Sequence, residues 1–547
     1  MRSNLSETRA VKICRNGNFL LPLHPNMTVF RLENLREAVM RCALTVIVLI
    51  CAVRPSCGEV TINNPILPGF NPDPTITRVG DDYYICTSSF TWFPGLPIYH
   101  STDLEHWELI AHAIDRPDMV RLEGEKDKDG VYAPTLRCHD GTWYLFSYLV
   151  SDGIFYLTAD TVTGPWSDPI YLKDAPGIDP FIFWDDDGRA YLLANAWGSD
   201  LKKIKNGQER VDGSCAIWIQ EIDLTTQTLK GEKTILTSGH AVGAKSAEGP
   251  RLYKRDGTYW LVIAEGGTDM GHAVTAFSAD SLLGPYSAQR ANPVMTHRHI
   301  GIENPIQCVG HADIVETAEG ECYAVMLAKR MTEGKSFTRE TFMCPADFRG
   351  RTLVLAPGKG MLTMEGDGNS SLTPYWYTNR IPKTDFYTIE DSVITLTLQP
   401  ETVDSLTCPA MLMQKVTAHK YTLSARVTFT TKKAGEKAGI ILHRTNTGYI
   451  ALMRTSTGIE VIESGKVTAA LPYEGEEVVL TIEADGLNAT LLYGAAEGGQ
   501  EEAARVSLRQ LADGGNNRFN GVGMGVYATS TGKKSKNKAT FKLRVKN

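Results

Sequence analysis

Three acidic residues of this 547-residue chain precede a proline in similar short motifs, two of them directly and one with a glycine between. Asp73 lies in NPDP, Asp179 in GIDP and Glu248 in AEGP. Proline fixes its own φ and favours extended backbone in the residue before it, so these carboxyl groups have restricted positions. A carboxyl group held in place can activate a water molecule or donate a proton. For Asp73 taken alone, a structural turn is the simpler interpretation.

The spacing of the three acids favours a shared function. Asp73 and Glu248 each lie 11 residues before a tyrosine that follows a turn, and Asp179 lies 12 residues before one. If repeated units surround an axis, acids at matching positions converge there, and their proximity raises the pKa of at least one. A proton donor, an ionised carboxylate and a third acid that tunes the pair are what hydrolysis of a glycosidic bond needs.

The units that carry the acids have the pattern of small antiparallel sheets. Five segments join an acidic or glycine turn to an aromatic-rich strand: GDDYYICTSS, DGTWYLFSY, DGRAYLLAN, DGTYWLVIA and EGECYAVML. No sustained helical period accompanies them. We predict a five-bladed β-propeller catalytic domain over residues 61–355. A two-sheet sandwich with coincidental turns is the alternative.

The C-terminal part of the chain has a different sequence pattern. Residues 356–383 are rich in turn-forming residues and are predicted to be a linker. Residues 384–547 contain alternating strands such as VITLTLQP and ATFKLRVKN, which predict a concanavalin-like or jelly-roll β-sandwich. The predicted fold class is therefore all-β, and packing or sugar binding is the expected role of the sandwich.

Residues 1–58 are predicted to be an N-terminal extension. Within it, residues 40–58 contain the apolar run ALTVIVLICAV followed by small residues, which is typical of a signal peptide and too short for a bilayer span. We expect export to the periplasm, the cell surface or the medium, with no transmembrane span. A buried strand or a short anchor is the alternative, and a true start at Met40 is a hypothesis.

The composition limits the classes of partner. The net charge is −7, so no excess of basic residues is available to bind nucleic acid. The 9 tryptophans and 21 tyrosines suit a carbohydrate binder. No CxxC pair indicates a metal site, and no cofactor is expected to be required.

Taken in order, the motifs resemble glycoside hydrolase family 43, in particular its β-xylosidase-type members with a C-terminal β-sandwich. The resemblance rests on NPILPGFNPDPTITRVGDDYYICTSSFTWFPGLPIYHSTDLEHW, GIDPFIFWDDDGRAYL, AEGPRLYKRDGTYWL, NPIQCVGHADIVET and RETFM. It implies an inverting exo-glycosidase that releases terminal xylose from oligosaccharides of plant cell-wall xylan or arabinoxylan. An α-L-arabinofuranosidase or bifunctional enzyme of the same family is the first alternative. A non-catalytic sugar-binding propeller is the alternative from another class.

The resemblance also implies roles for individual residues. Asp73 is expected to be the general base, Glu248 the general acid, and Asp179 the residue that tunes the pKa of the acid and orients it. Arg339 in RETFM and His272 are expected to bind substrate.

Three further residues are candidates with ordinary alternatives. Trp92 and Phe93 lie near the first acid in FTWFPGLP and are expected to stack on a sugar at the pocket rim, with core packing as the alternative. His311 in VGHAD matches a histidine near the propeller axis that contacts calcium or water in some relatives. A structural calcium on the axis is thus an expectation for His311, and a satisfied core imidazole is the alternative.

Overall fold

The computed structural model describes residues 60–197, 215–240, 246–364, 368, 372–514 and 518–547. The predicted N-terminal extension and its signal peptide therefore lie outside the described residues. Within the described ranges, no helix combines the length and the apolar character that crossing a bilayer requires.

The region predicted to be a propeller is built from antiparallel strands. In chain order they are β1 (Thr75–Val79), β2 (Asp82–Cys86), β3 (Trp92–Phe93), β4 (Gly95–Ser101), β5 (Glu108–Ile114), β6 (Val131–His139), β7 (Thr142–Leu149), β8 (Gly153–Ala159), β9 (Ile170–Tyr171), β10 (Ile178–Trp184), β11 (Ala190–Ala196), β12 (Ala216–Asp223), β13 (Thr228–Thr237), β14 (Glu248–Arg255), β15 (Thr258–Glu265), β16 (Ala273–Ala279), β17 (Ser287–Ala288), β18 (Ile306–Glu316), β19 (Cys322–Arg330), β20 (Glu340–Arg349) and β21 (Thr352–Leu355). Among the described residues they form five four-stranded sheets, β1-β2-β4-β5, β6 to β9, β10 to β13, β14 to β17 and β18 to β21. The all-β class is confirmed.

The first strands of the five sheets contact one another in a closed cycle. β1 contacts β6, β6 contacts β10, β10 contacts β14, β14 contacts β18, and β18 contacts β1. Large apolar clusters lie between neighbouring sheets, including one that joins the third and fourth sheets. The starts of the first strands therefore surround a common axis, as in a propeller.

Each first strand carries a backbone irregularity, which lies just before β1, near the start of β6, β10 and β14, and in the middle of β18. The residues there adopt a left-handed φ: Asp73 (55°), Ala133 (54°), Asp179 (56°), Gly249 (57°) and His311 (55°). The strand register also shifts at this point in β6, β10, β14 and β18. A β-bulge redirects the side chain beside it, and left-handed backbone at a non-glycine residue persists only where its surroundings fix it. Each sheet therefore presents one fixed position toward the axis.

The prediction that all three acids share this position was wrong by one residue for Glu248. Gly249 takes the position of Asp73 and Asp179, and Glu248 comes one residue earlier. The one-residue difference arises in DGTYWLV, which contains the turn before β15 and the first residues of that strand. There the second aromatic residue, Trp260, takes the strand position that the reference tyrosines hold in the other units.

The C-terminal part forms the predicted β-sandwich. Before it, within the predicted linker, lies the short strand β22 (Thr378–Asn379). The strands of the sandwich are β23 (Tyr387–Glu390), β24 (Val393–Thr397), β25 (Ala410–Lys415), β26 (Lys420–Thr428), β27 (Lys437–Thr445), β28 (Gly448–Arg454), β29 (Gly458–Glu463), β30 (Lys466–Pro472), β31 (Glu477–Asp485), β32 (Asn488–Gly494), β33 (Gln500–Ser507), β34 (Gly523–Thr529) and β35 (Lys538–Lys546), with a 3₁₀ helix at Leu508–Leu511. They form a seven-stranded sheet, β23-β24-β35-β26-β31-β32-β33, and a six-stranded sheet, β25-β34-β27-β28-β29-β30. Side chains of both sheets enclose one apolar core.

The sandwich packs directly on the propeller. β3 of the propeller region pairs with β22, and Trp92 packs against Phe70 and Tyr377 at ring-centroid distances of 5.3 and 5.5 Å. Burying an apolar side chain of this kind stabilises a fold by about 1.5–3 kcal/mol. This contact fixes the sandwich close to the axis of the five sheets.

Candidate active site

A cavity of about 280 Å³ lies where the first strands begin, and its lining contains all three predicted acids. Asp73 precedes β1, Asp179 is the second residue of β10, and Glu248 is the first residue of β14. Although Glu248 is one residue out of register, it reaches the same cavity as the two aspartates. The structure therefore brings the three carboxyl groups together.

Asp73 is held as an ionised carboxylate. Its Oδ1 accepts a hydrogen bond from Arg339 Nη1 at 2.7 Å, and its Oδ2 accepts one from Ser88 Oγ at 2.7 Å. Ser88 is itself fixed, because its Oγ accepts the Ala133 N–H at 2.7 Å. Burial alone would raise the pKa of Asp73, but the Arg339 charge and the Ser88 hydrogen bond outweigh it and hold the pKa below its usual 3.8.

Glu248 is held as a protonated acid. Burial, followed by the charges of Asp179 and Asp73, raises its pKa to about 8. Burial and the charge of Asp73 also raise the pKa of Asp179. Asp179 Oδ2 accepts the Gly249 N–H at 2.9 Å, which favours the ionised form of Asp179, so the proton of the pair resides preferentially on Glu248.

Arg339 connects the carboxylates to the sandwich. It lies directly before β20 and is 3% exposed. Its Nε and Nη2 donate to the carbonyl oxygen of Phe519 at 3.1 and 2.9 Å, while its Nη1 donates to Asp73. Phe519 belongs to the sandwich and lines the cavity, so the second domain completes both the wall and the hydrogen bonds of the guanidinium.

His272 lines the cavity in a fixed orientation. Its Nδ1 is 2.9 Å from the carbonyl oxygen of Cys308, and the ring is 1% exposed. The ring lies against Gly310, where an added Cβ would come within 2.4 Å of it. Burial lowers the pKa of His272 to about 4, so the ring is neutral near pH 7.

His311 also lines the cavity, with its Nδ1 3.8 Å from Asp73 Oδ1. Burial lowers its pKa to about 3, which leaves a neutral imidazole. Calcium takes about six to eight oxygen ligands. Within the described ranges, no group of three or more His, Cys, Asp or Glu residues could hold a metal ion. His311 and its neighbours therefore do not form the set of oxygen ligands that calcium needs. A calcium ion on the propeller axis stays a prediction.

The prediction for Trp92 and Phe93 was wrong. Neither residue lines the cavity, and they are 2% and 8% exposed. The physical reason is that both belong to β3, which pairs with β22. The ring of Trp92 lies in the apolar cluster between the propeller and the sandwich, and that of Phe93 lies in the cluster between the first and second sheets. Core packing, the ordinary alternative, is the interpretation that the structure supports.

Other aromatic residues line the cavity instead, namely Phe90, Tyr132, Trp197 and Phe519. Phe90 lies two residues before Trp92 in the same motif. The prediction therefore identified the aromatic segment that reaches the cavity but named the wrong residues within it. Trp197 follows β11 and is 41% exposed, which gives the cavity a ring that can stack on a substrate. Its place directly after a predicted aromatic strand is the signal that could have identified it.

The cavity combines the two protonation states that acid–base catalysis needs. An ionised carboxylate can take a proton from water, and a protonated carboxyl group can give a proton to a leaving oxygen. Asp179 has no separate role of this kind, because its oxygen is committed to the backbone beside Glu248.

Comparisons with known proteins agree with this geometry. Residues 62–351 match the family model of glycosyl hydrolases family 43, and residues 368–543 match that of the beta-xylosidase C-terminal concanavalin A-like domain. A xylosidase/arabinosidase of Butyrivibrio fibrisolvens is 34% identical over 514 residues, covering 87% of this chain and 98% of that protein. The non-reducing end alpha-L-arabinofuranosidase BoGH43B of Bacteroides ovatus is 32% identical over 525 residues, covering 89% and 94%. The crystal structure of xylan beta-1,4-xylosidase from Bacillus halodurans C-125 aligns with a TM-score of 0.80 at 28% identity, covering 89% of this chain and all of that one.

Proposed function

This chain belongs to glycosyl hydrolases family 43, and on that premise we propose that it is an inverting exo-glycosidase that releases terminal xylose from xylo-oligosaccharides. The names of its relatives support the choice of pentose, since both xylosidases and an arabinofuranosidase are among them. Hydrolysis of terminal arabinofuranose, alone or together with xylose, is the second candidate, and the xylosidase/arabinosidase of Butyrivibrio fibrisolvens favours it.

In the proposed reaction, Asp73 and Glu248 act on opposite faces of the sugar. Asp73 accepts a proton from water as the water oxygen forms a bond to the anomeric carbon. The bond from that carbon to the glycosidic oxygen breaks, and Glu248 gives its proton to the departing oxygen. One displacement occurs, so the released sugar has inverted configuration. Asp179 holds the backbone beside Glu248, and Arg339 keeps Asp73 ionised.

The observation that carries this proposal is the opposite shift of two carboxyl pKa values in one cavity. The pKa of Asp73 is lowered and that of Glu248 is raised, as a base and an acid working together require. The volume of about 280 Å³ is at the small end for ligand cavities, which begin near ~300 Å³, and suits a single terminal ring.

A panel of substrates tests the proposal. The protein should release nitrophenol from nitrophenyl β-xyloside, and a comparable rate on nitrophenyl α-L-arabinofuranoside would identify a bifunctional enzyme. Proton NMR of the first-formed sugar from xylobiose should show the α-anomer, because the β-linkage is inverted. Sugar binding without release from any pentoside would instead identify a non-catalytic sugar-binding propeller.

The pH dependence of kcat/KM on xylobiose follows from the same pKa shifts. The acid limb should lie below 3.8, the ordinary pKa of an aspartate, because Asp73 stays ionised until the pH falls through its lowered pKa. The basic limb should lie near pH 8, where Glu248 loses its proton as the pH rises.

The Asp179→Asn variant checks the assignment of the basic limb. It removes a negative charge that raises the pKa of Glu248, so the basic limb should move to lower pH while the acid limb stays at its wild-type position. A basic limb that does not move in this variant would contradict the assignment of Glu248.

We also propose that the protein is exported. The apolar run within residues 40–58 supports this, and it lies outside the described residues. N-terminal sequencing of the protein secreted by its host should find a mature chain that begins after residue 58, whereas a chain that retains residues 1–39 would refute the proposal.

A further inference from the structure

A second cavity, of about 230 Å³, lies between the propeller and the sandwich. It shares no lining residue with the candidate active site. The propeller side contributes Asn71 and Tyr99, and the segments of the sandwich side contribute Tyr375, Tyr377, Gln414 and Lys415. We call it the interface cavity. The mechanism proposed above uses none of these six residues.

Aromatic rings form one wall of the interface cavity. The ring centroids of Tyr375 and Tyr377 are 5.3 Å apart, and that of His112 is 4.6 Å from Tyr375. Tyr377 is buried, whereas Tyr375 is 42% exposed despite its place beside a cavity. A tyrosine fixed by neighbouring rings and still accessible can cover the apolar face of a small polyol and bind a hydroxyl group.

Polar groups converge on the same cavity. Lys415 Nζ is 2.6 Å from Asn71 Oδ1 and 3.0 Å from Tyr99 Oη. Burial lowers the pKa of Lys415 to about 7, so near neutral pH its amine can both donate and accept hydrogen bonds. A few convergent polar groups beside aromatic rings in a preformed cavity are typical of small-ligand sites.

We infer that the interface cavity is a second sugar site, which binds one free pentose. The inference rests on the function proposed above, because the pentose is the product released at the neighbouring cavity. Its volume is close to that of the candidate active site, about 230 against 280 Å³, so it suits one ring and not an oligosaccharide. Tyrosine rings, an amide and an amine match the apolar face and the hydroxyl groups of such a ring.

The interface cavity also adjoins the segment that holds the proposed base. Asn71 lies two residues before Asp73, its N–H donates to the carbonyl oxygen of Arg339 at 3.1 Å, and its own carbonyl accepts from Thr341 Oγ1 at 2.7 Å. A sugar bound at Lys415 therefore lies next to a residue that is hydrogen-bonded to the Arg339 carbonyl and to the Thr341 hydroxyl.

Calorimetric titration of the full-length protein with D-xylose, and separately with L-arabinose, tests the inference. The wild type should bind two equivalents of at least one pentose, and crystals soaked in that sugar should show it in both cavities. Tyr375→Ala should weaken binding at the second site by about tenfold, the effect of losing one ring contact, and should leave the first site unchanged. Tyr387→Ala is the matched control, because Tyr387 is 41% exposed and does not line the interface cavity.

A second variant, Lys415→Met, should weaken the same site, and a melting curve shows whether it folds. Binding of only one equivalent by the wild type, or second-site binding that Tyr375→Ala leaves intact, would overturn the inference. These outcomes are independent of catalysis. If pentosides are hydrolysed and only one pentose binds, the second site fails and the proposed function stands. If no pentoside is hydrolysed and a pentose still binds at Tyr375, the proposed function fails and the site stands.

Discussion

Glu248→Gln should reduce hydrolysis of xylobiose by roughly 10²–10⁴-fold, the usual contribution of a general acid. Glutamine has nearly the shape of a protonated glutamate but cannot give a proton to the leaving oxygen. The loss should be much smaller with nitrophenyl xyloside, because nitrophenolate is stable enough to depart without a proton. The measurement is kcat for both substrates at a pH below 8, where the wild-type acid is protonated.

Asp73→Asn should behave differently with the same two substrates. Asparagine cannot take a proton from water, and every substrate needs an activated water, so both rates should fall by a similar large factor. The comparison therefore distinguishes the acid from the base. Glu303→Gln is the control, since this exposed glutamate lies in the loop before β18 and outside the cavity, and both of its rates should stay at the wild-type level.

Equal losses on xylobiose and nitrophenyl xyloside for Glu248→Gln would remove Glu248 from the role of acid. Near-normal turnover of xylobiose by either variant would remove that residue from the mechanism. Binding of xylobiose, followed by calorimetry, should persist in Glu248→Gln, so that a loss of turnover is not a loss of folding.

The acids were predictable from sequence because the motifs that carry them are local: Asp73 and Asp179 are each followed by a proline, and Glu248 by Gly-Pro. Their backbone was not predicted, because Asp73 and Asp179 adopt a left-handed φ and not the extended backbone that a following proline favours. The five repeated turns also made the all-β fold class predictable, since strand length and turn composition are local properties of the sequence. The strand register of Glu248 was not predictable, because DGTYWLV contains two adjacent aromatic residues. Strand pairing places the second of them at the position that the reference tyrosines hold in the other units.

Residues that depend on packing between distant parts of the chain were not predictable. Phe519 accepts hydrogen bonds from an arginine 180 residues away, and only the docking of the sandwich creates that contact. The predicted sugar-stacking role of Trp92 and Phe93 was wrong for the same reason. Their partner strand, β22, follows the whole propeller region in the sequence. An exposed aromatic and a buried interface aromatic look alike in sequence until the second domain is placed.

Arg339→Met should combine a large loss of activity with a loss of stability. Removing one partner of a buried ion pair typically costs about 3–5 kcal/mol, because the other charge stays buried without compensation. Both side chains of the Arg339–Asp73 pair are almost fully buried. Removing one preorganised donor from an active site typically lowers kcat by roughly 10²–10³-fold. We expect effects of these sizes in urea unfolding at pH 7 and in turnover of xylobiose.

The sign of the pH effect separates this role from simple packing. In the wild type, Arg339 outweighs burial and lowers the pKa of Asp73, so the ion pair stabilises the fold above the unfolded pKa of an aspartate and is lost as the pH falls through the lowered value. Arg339→Met removes the largest effect that lowers the pKa of Asp73 while burial still raises it, so the pKa of Asp73 should rise. The acid limb of kcat/KM should therefore move to higher pH, and the stability deficit should shrink as the pH is lowered and Asp73 is protonated.

Two further variants complete the test of Arg339. Arg339→Lys keeps the charge but loses the forked contact to the Phe519 carbonyl, so it should restore the acid limb more than it restores kcat. Arg349→Met removes an arginine at the end of β20 whose ion pair with Asp347 is exposed, and it should change stability by at most about 1 kcal/mol. If Arg339→Met kept the wild-type acid limb, the arginine would not be what holds Asp73 ionised, and the low pKa of Asp73 would come from its other neighbours, Ser88 among them.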